Sequence, residues 1–266
     1  MNQRIFFLGL LAFTLLFSCQ ENSDATNERP TDHFGNTFST PFDGLDAFLN
    51  YQAKIEKRKD LQKLNSLLFT QNNGNTFQSV AFLEKNGDIA KAQLNTTRNN
   101  GQQIQYTFYF LKGVLSMAYV QYNQISKNIA YSVFFDAAQS PIATYMHRVV
   151  DAETPSAQPL TLCKAQPWLN KAIENSLQLL SDMQNQDGIF ELHFLGFNEA
   201  FNKKFIEFGN ANFSTNLAFV EQETLVQQIK KTPQAYQSKT FHLQFVEITE
   251  ASGFSYQLLT ELIMNH

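Results

Sequence analysis

Residues 103–111 read Gln103-Ile104-Gln105-Tyr106-Thr107-Phe108-Tyr109-Phe110-Leu111. Ile104, Tyr106, Phe108 and Phe110 alternate with Gln103, Gln105, Thr107 and Tyr109, the period of two that a β-strand imposes on its two faces. Working outward, Gly74, Gly87, Gly101 and Gly113 recur every 12 to 14 residues. They sit in the clusters Asn73-Gly74, Asn86-Gly87-Asp88, Asn99-Asn100-Gly101 and Lys112-Gly113, which favour positive φ and tight turning. Val114–Tyr122, Ile129–Asp136 and Ile142–Val149 continue the alternation. Six strands over about 77–149, joined by short turns, predict an antiparallel meander. The even glycine spacing reflects strand-plus-turn length and no deeper sequence repeat.

On the N-terminal side, Asp43 to Phe69 reads as helix, with a bend or break open at Lys54–Asp60. Pro41 and Asp43 supply start signals, and Leu45, Phe48, Leu49, Ile55, Leu61, Leu64 and Leu68 follow at helical spacing. The mixed charges from Lys54 to Asp60 read as a solvated face. On the C-terminal side, Asp151 to Gln166 is a linker with Pro155 and Pro159. Pro167 opens a helix striped by Leu169, Ile173, Leu177, Leu180 and Met183, which stops at Asp187-Gly188. Trp168 reads as a packing anchor. Ile189–Leu195, Phe205–Phe208 and Phe213–Val220 read as strands, Glu221–Lys231 as a short helix, and Phe241–Ile248 with Phe254–Ile263 as a final hairpin. The expected fold class is α+β. A long N-terminal helix packs on one face of an antiparallel β-meander over 43–150, the other face is wetter, and a smaller α+β region spans 165–266.

Composition narrows the function classes. The chain has 266 residues, 43% hydrophobic and 17% charged, with 26 Phe, two Cys and a net charge of −4. It has apolar area enough to fold and no cationic excess to neutralise phosphates, so nucleic acid is not an expected partner. Arg4 precedes an apolar run from Ile5 to Phe17, too short to span a bilayer and suited to an export signal. The run ends Leu16-Phe17-Ser18-Cys19, which resembles the lipobox of bacterial lipoproteins, with Phe17 bulkier than the usual residue at its position. The resemblance covers residues 1–19 and no family is recognised for the mature region. It implies a signal peptide over 1–18, lipid attachment at Cys19 with palmitate-type acyl chains, and a tether over 19–42. It places the protein in the bacterial cell envelope, at the outer membrane, with the membrane as a partner through the N-terminal lipid. Cleavage removes Arg4 and makes the mature chain one unit more negative. With Cys19 acylated, Cys163 is left as a core filler without a disulfide partner.

The chemistry search finds no phosphate loop, dinucleotide fingerprint, zincin helix, nucleophile elbow or paired-Cys knuckle. The remaining constellation is Glu191 and His193, two apart on one strand, with His242 on the polar side of another. If those strands pair, two imidazoles and a carboxylate suit a borderline metal, although polar residues facing water account for them more simply. No cofactor is expected and no catalytic residue is assigned. The tyrosines and phenylalanines of the meander either fill a core or line a site for a hydrophobic ligand. The expected function is a non-catalytic binding or structural module for a protein partner or apolar ligand; the alternative is an envelope hydrolase, with or without a metal.

Overall fold

The computed structural model describes residues 45–123, 128–149, 161–164, 166–221 and 223–265. The segments read as a signal peptide (1–18) and a tether (19–42), with Cys19, and most of the 151–166 segment read as a linker lie outside the described residues. The elements are α1 (Leu45–Glu56), β1 (Gln62–Asn65), β2 (Phe69–Gln71), β3 (Thr76–Leu83), β4 (Ile89–Thr97), β5 (Gln103–Leu111), β6 (Val114–Asn123), β7 (Asn128–Phe135), β8 (Pro141–Val149), β9 (Thr161–Cys163), α2 (Pro167–Asn185), β10 (Leu192–Ala200), β11 (Lys203–Gly209), β12 (Phe213–Ala218), α3 (Thr224–Lys231), β13 (Thr240–Thr249) and β14 (Ser255–Met264).

The expected α+β class with a long N-terminal helix is corrected. The chain is mostly β, with 14 strands in one mixed sheet among the described residues. The α-helices among the described residues have 12, 19 and 8 residues. Helix α1 stops at Glu56, and the segment read as its continuation forms β1 and β2. Two forces end it. The Arg58 guanidinium grips Asp60 at 2.9 Å and Glu84 at 2.8 Å, tying the helix exit to the β3–β4 turn. That grip holds the Asp60 carboxyl down to about 2. Beyond it the backbone of 62–65 finds hydrogen-bond partners on β3. Leu64 and Leu68, placed inward by the helical spacing, are exposed, while Leu67 is fully buried.

Strands β3 to β9 pair antiparallel in chain order. One turn geometry builds much of this. In Gln71–Asn75, Glu84–Asp88 and Arg98–Gln102 the first amide donates to the fifth carbonyl and the fourth amide donates back to the first carbonyl. The fourth residue needs positive φ, and glycine supplies it with φ of 84°, 89° and 81°. In Asp136–Ser140 the same position holds Gln139 at 65°. Its side chain donates to the Leu115 carbonyl at 3.0 Å, anchoring the conformation that glycine adopts freely elsewhere.

The expectation of one covered and one wetter face is also corrected. Aromatic side chains point both ways from β5 and β7, so both faces carry apolar area that needs cover. Helix α1 lies over Tyr109, Met117 and Phe134 with Phe48 and Ile55, and the Phe48 and Phe134 rings sit 4.8 Å apart. Helix α2 covers the other face, setting Leu169, Ile173, Leu180 and Met183 against a core that includes Tyr106, Phe108, Val120 and Val133. Trp168 opens α2 against Tyr122 and Tyr131, at 6.2 and 5.8 Å. Burial pushes the Tyr122 phenol pKa up.

The C-terminal strands join the same sheet through β2, which pairs with β12. They then close on themselves: β11 pairs with β10 and β12, β13 pairs with β14 and β10, and β12 meets β14 at Ala218 and Leu258 in a parallel bridge. Val226 and Ile229 of α3 are buried in the continuous core. Phe190, on a single 3-10 turn after α2, stacks 4.5 Å from both Phe69 and Phe213 and so links the meander to this ring.

Candidate functional site

The residues singled out by sequence come partly together. Strands β10 and β13 pair, with Leu192 opposite Phe241 and His193 opposite Thr240. His193 lies 3.7 Å from Glu191 and its other ring nitrogen lies 3.2 Å from the Lys239 carbonyl. His242 follows Phe241 on β13, on the same side as Thr240. Among the described residues no three His, Cys, Asp or Glu side chains are grouped closely enough to hold a metal ion. Cys163 is buried on β9, its Sγ 3.6 Å from the Thr161 carbonyl. Cys19 lies outside the described residues.

A second polar cluster lies under α1. Lys91, 8% exposed, places its ammonium 2.7 Å from Glu56 and over the Phe82 and Tyr109 rings. The Tyr109 hydroxyl donates to Glu56 at 2.6 Å and accepts from Gln52 at 3.2 Å. Burial, and then the Glu56 carboxylate, push the Tyr109 pKa up, so the phenol stays a donor. Every member has a partner within the cluster. The arrangement clamps α1 to the sheet and leaves no group facing a substrate.

The accessible site is on the C-terminal ring, where two strands part. A bulge sits in β10 at Leu195, between Phe194 and Gly196, and another in β14 at Thr260, opposite the Gln244–Phe245 step of β13, both just beyond the β10–β13 contact. A bulge bends its strand and over-twists the strand pair that holds it, so β10 and β13 diverge beyond their contact. The β13 edge is capped at Leu243. Gln186, at the end of α2, accepts from the Leu243 amide and donates to the Leu243 carbonyl, both at 2.7 Å, standing in for a neighbouring strand. On β10, among the described residues no strand pairs with the outer edge from Phe194 to Ala200. Leu195 is 43% and Phe197 36% exposed there, and a Cβ built on Gly196 meets nothing within 4 Å.

An open pocket of about 240 Å³ adjoins this edge, lined by Phe197, Asn198, Glu199, Lys204, Phe205, Phe219 and Lys230. The Phe197 and Phe219 rings meet edge to face at 5.7 Å, and the Lys230 ammonium lies 5.7 and 4.8 Å over them. Glu221 bridges Lys204 at 2.6 Å and Lys230 at 3.2 Å. These two ammoniums, Lys204 foremost, hold the Glu221 carboxyl below its usual range. Beside the pocket the β10–β11 turn ends in Phe201, 75% exposed with φ of 50°, where a bulky residue is strained. Its ring rests 4.8 Å from Phe254 on the β13–β14 turn, and Lys203 bridges the same two turns through Glu250 at 2.7 Å. Aromatic walls beside an unpaired strand edge suit the binding of another polypeptide.

No protein-family model, no curated protein and no solved structure matches this chain.

Sequence reasoning placed only the start of β10, ending its strand at Leu195, and so missed the pocket, because Phe197 sits out of phase with Leu192 and Phe194. The signal for the phase change is Gly196, an isolated glycine inside a strand, where a bulge is expected.

Proposed function

We propose that this is a lipid-anchored protein of the bacterial cell envelope, tethered at the outer membrane through Cys19, that presents a non-catalytic binding surface to a protein partner. The signal-like N-terminus and the Leu16-Phe17-Ser18-Cys19 sequence support the anchor. The observation that carries the binding role is the uncovered β10 edge, with Leu195 and Phe197 exposed beside an aromatic pocket. Exposed apolar groups at an unpaired strand are an aggregation hazard that proteins normally blunt, and on β10 they stand beside a pocket that can receive a partner's side chain. The apolar-ligand version has less support, since interleaved side chains fill the space between α2 and the meander.

Two measurements test the parts. Cys19→Ala is expected to abolish membrane partitioning and the acyl mass increment; a variant that still pellets with membranes sinks the anchor. A photo-crosslinking residue at Leu195 is expected to form a polypeptide adduct in living cells, and the same residue at Lys63 on β1 none. Equal labelling at both positions, or none at Leu195, removes the binding surface.

A further inference from the structure

We propose that the β10 edge captures its partner by strand addition, and that the partner segment is extended, carries alternating apolar residues and bears a basic residue; this rests on the protein-partner reading above. The first support is the backbone. Phe201 and Asn202, with φ of 50° and 58°, form a two-residue turn that makes Ala200 and Lys203 a hydrogen-bonded pair. Alternation along the antiparallel ladder then points the amides and carbonyls of Glu199 and Phe197 away from β11. The opposite strand agrees, since the Lys204 carbonyl faces away from β10 and accepts from the Phe219 amide. Two peptide units on one edge are thus aimed outward with no strand against them among the described residues.

The second support is what lies on the same face. Phe197, Glu199 and Lys204 share the side of the hairpin that lines the pocket. A strand added to this edge sets alternate side chains over that side, one of them within reach of the Phe197 and Phe219 rings. The third support is charge. Both lysines of the pocket are engaged by Glu221, whereas Glu199 makes no ion pair among the described residues. A cation on the incoming strand complements Glu199, and a carboxylate there is repelled. By contrast, the β13 edge offers Leu243 already bonded to Gln186, and β9 is only three residues long.

The test uses the full-length protein in detergent micelles and a labelled decapeptide with Leu at alternate positions, one of them replaced by Lys so that Leu and Lys share a face, and Thr between them. Two control peptides replace Lys by Glu or carry N-methyl groups on alternate amides, which removes donors and keeps side chains. Saturable binding of the basic peptide is expected, at least tenfold tighter than either control, with slowed amide exchange at Phe197 and Glu199. Glu199→Lys, at an exposed position, is expected to reverse the preference between the Lys and Glu peptides. Equal binding of the N-methylated peptide overturns strand addition. Protection at 245–249 instead of 197–199 overturns the edge assignment. Concentration-dependent protection of 197–199 in the protein alone replaces the basic partner with a second copy of this chain. A crosslink at Leu195 without any peptide binding removes strand addition and leaves the partner reading standing.

Discussion

The meander and the C-terminal ring are built from similar alternating strands, yet they differ in how completely they pair. Within the meander β5 is matched along its length by β4 on one side and β6 on the other. In the ring β12 meets β14 at one residue pair, and β10 meets β13 at two. The difference comes from local irregularities more than from composition. Short turns of repeated geometry keep meander neighbours in register, while bulges at Leu195 of β10 and Thr260 of β14 turn the β10–β11 and β13–β14 pairs apart. Complete pairing gives rigidity and leaves no free backbone. Incomplete pairing leaves a recognition surface, held in place by the core behind it.

The largest effect is expected at Gly209, which pairs with His193 of β10 on one side and Ser214 of β12 on the other and so holds three strands of the ring together. A Cβ there would lie 2.1 Å from the Phe213 carbonyl oxygen, on a turn whose Asn210 side chain also holds the Ile189 and Glu191 carbonyls. Gly209→Ala should cost about 4 kcal/mol or more, since backbone must move to admit it. A loss below about 1 kcal/mol in urea titration would show that this junction is dispensable. Phe190→Ala comes next. It empties a fully buried site between Phe69 and Phe213, for about 3–4 kcal/mol. Trp168, the single tryptophan, reports from the meander side. Its fluorescence and far-ultraviolet dichroism should shift together, because one core runs through both regions. Two separated transitions would break the comparison into two independent units.

Much of the meander was legible in sequence because its instructions are local. The strand at 103–111, the turns at Gly74, Gly87 and Gly101, and the helix from Pro167 to the Asp187-Gly188 stop each rest on a few adjacent residues. What was not legible depends on residues far away in the chain. Leu61, Leu64 and Leu68 satisfy a helical spacing, and only pairing with β3 makes 62–65 a strand. The candidate site was hidden for the same reason. Phe197, Phe219 and Lys230 lie on different elements and meet only after β10 bulges and α3 folds back. Glu191 and His193 were visible as a pair, since i and i+2 on a strand share a face.

A smaller effect is expected under α1, the meander's own polar cluster. Lys91→Ala leaves Glu56 and the Tyr109 hydroxyl without their cation. Because the Glu56 side chain is 42% exposed it can rehydrate, so the cost should be about 1–2 kcal/mol and not the larger penalty of a sealed pair. Chemical denaturation of Lys91→Ala and Tyr109→Phe, singly and together, measures the coupling, and strict additivity would show that the cluster does not act as a clamp.

The subtlest prediction concerns Gln186, because it separates the two parted edges. Its backbone is left-handed, at φ 53° and ψ 47°, and its side chain occupies the Leu243 peptide group. Gln186→Ala loses both hydrogen bonds and keeps the backbone cost, so it should destabilise by about 1–2 kcal/mol. Gln186→Gly loses the same bonds but relieves the left-handed strain, so it should lie about 1 kcal/mol above the alanine variant. Both should speed exchange of the Leu243 amide equally, since that depends on the side chain alone. If covering is what distinguishes β13 from β10, either variant should let the Leu–Lys decapeptide protect β13 as well. An uncovered β13 that still ignores the peptide would mean that the aromatic pocket and Glu199, more than an open ladder, make β10 the receptive edge.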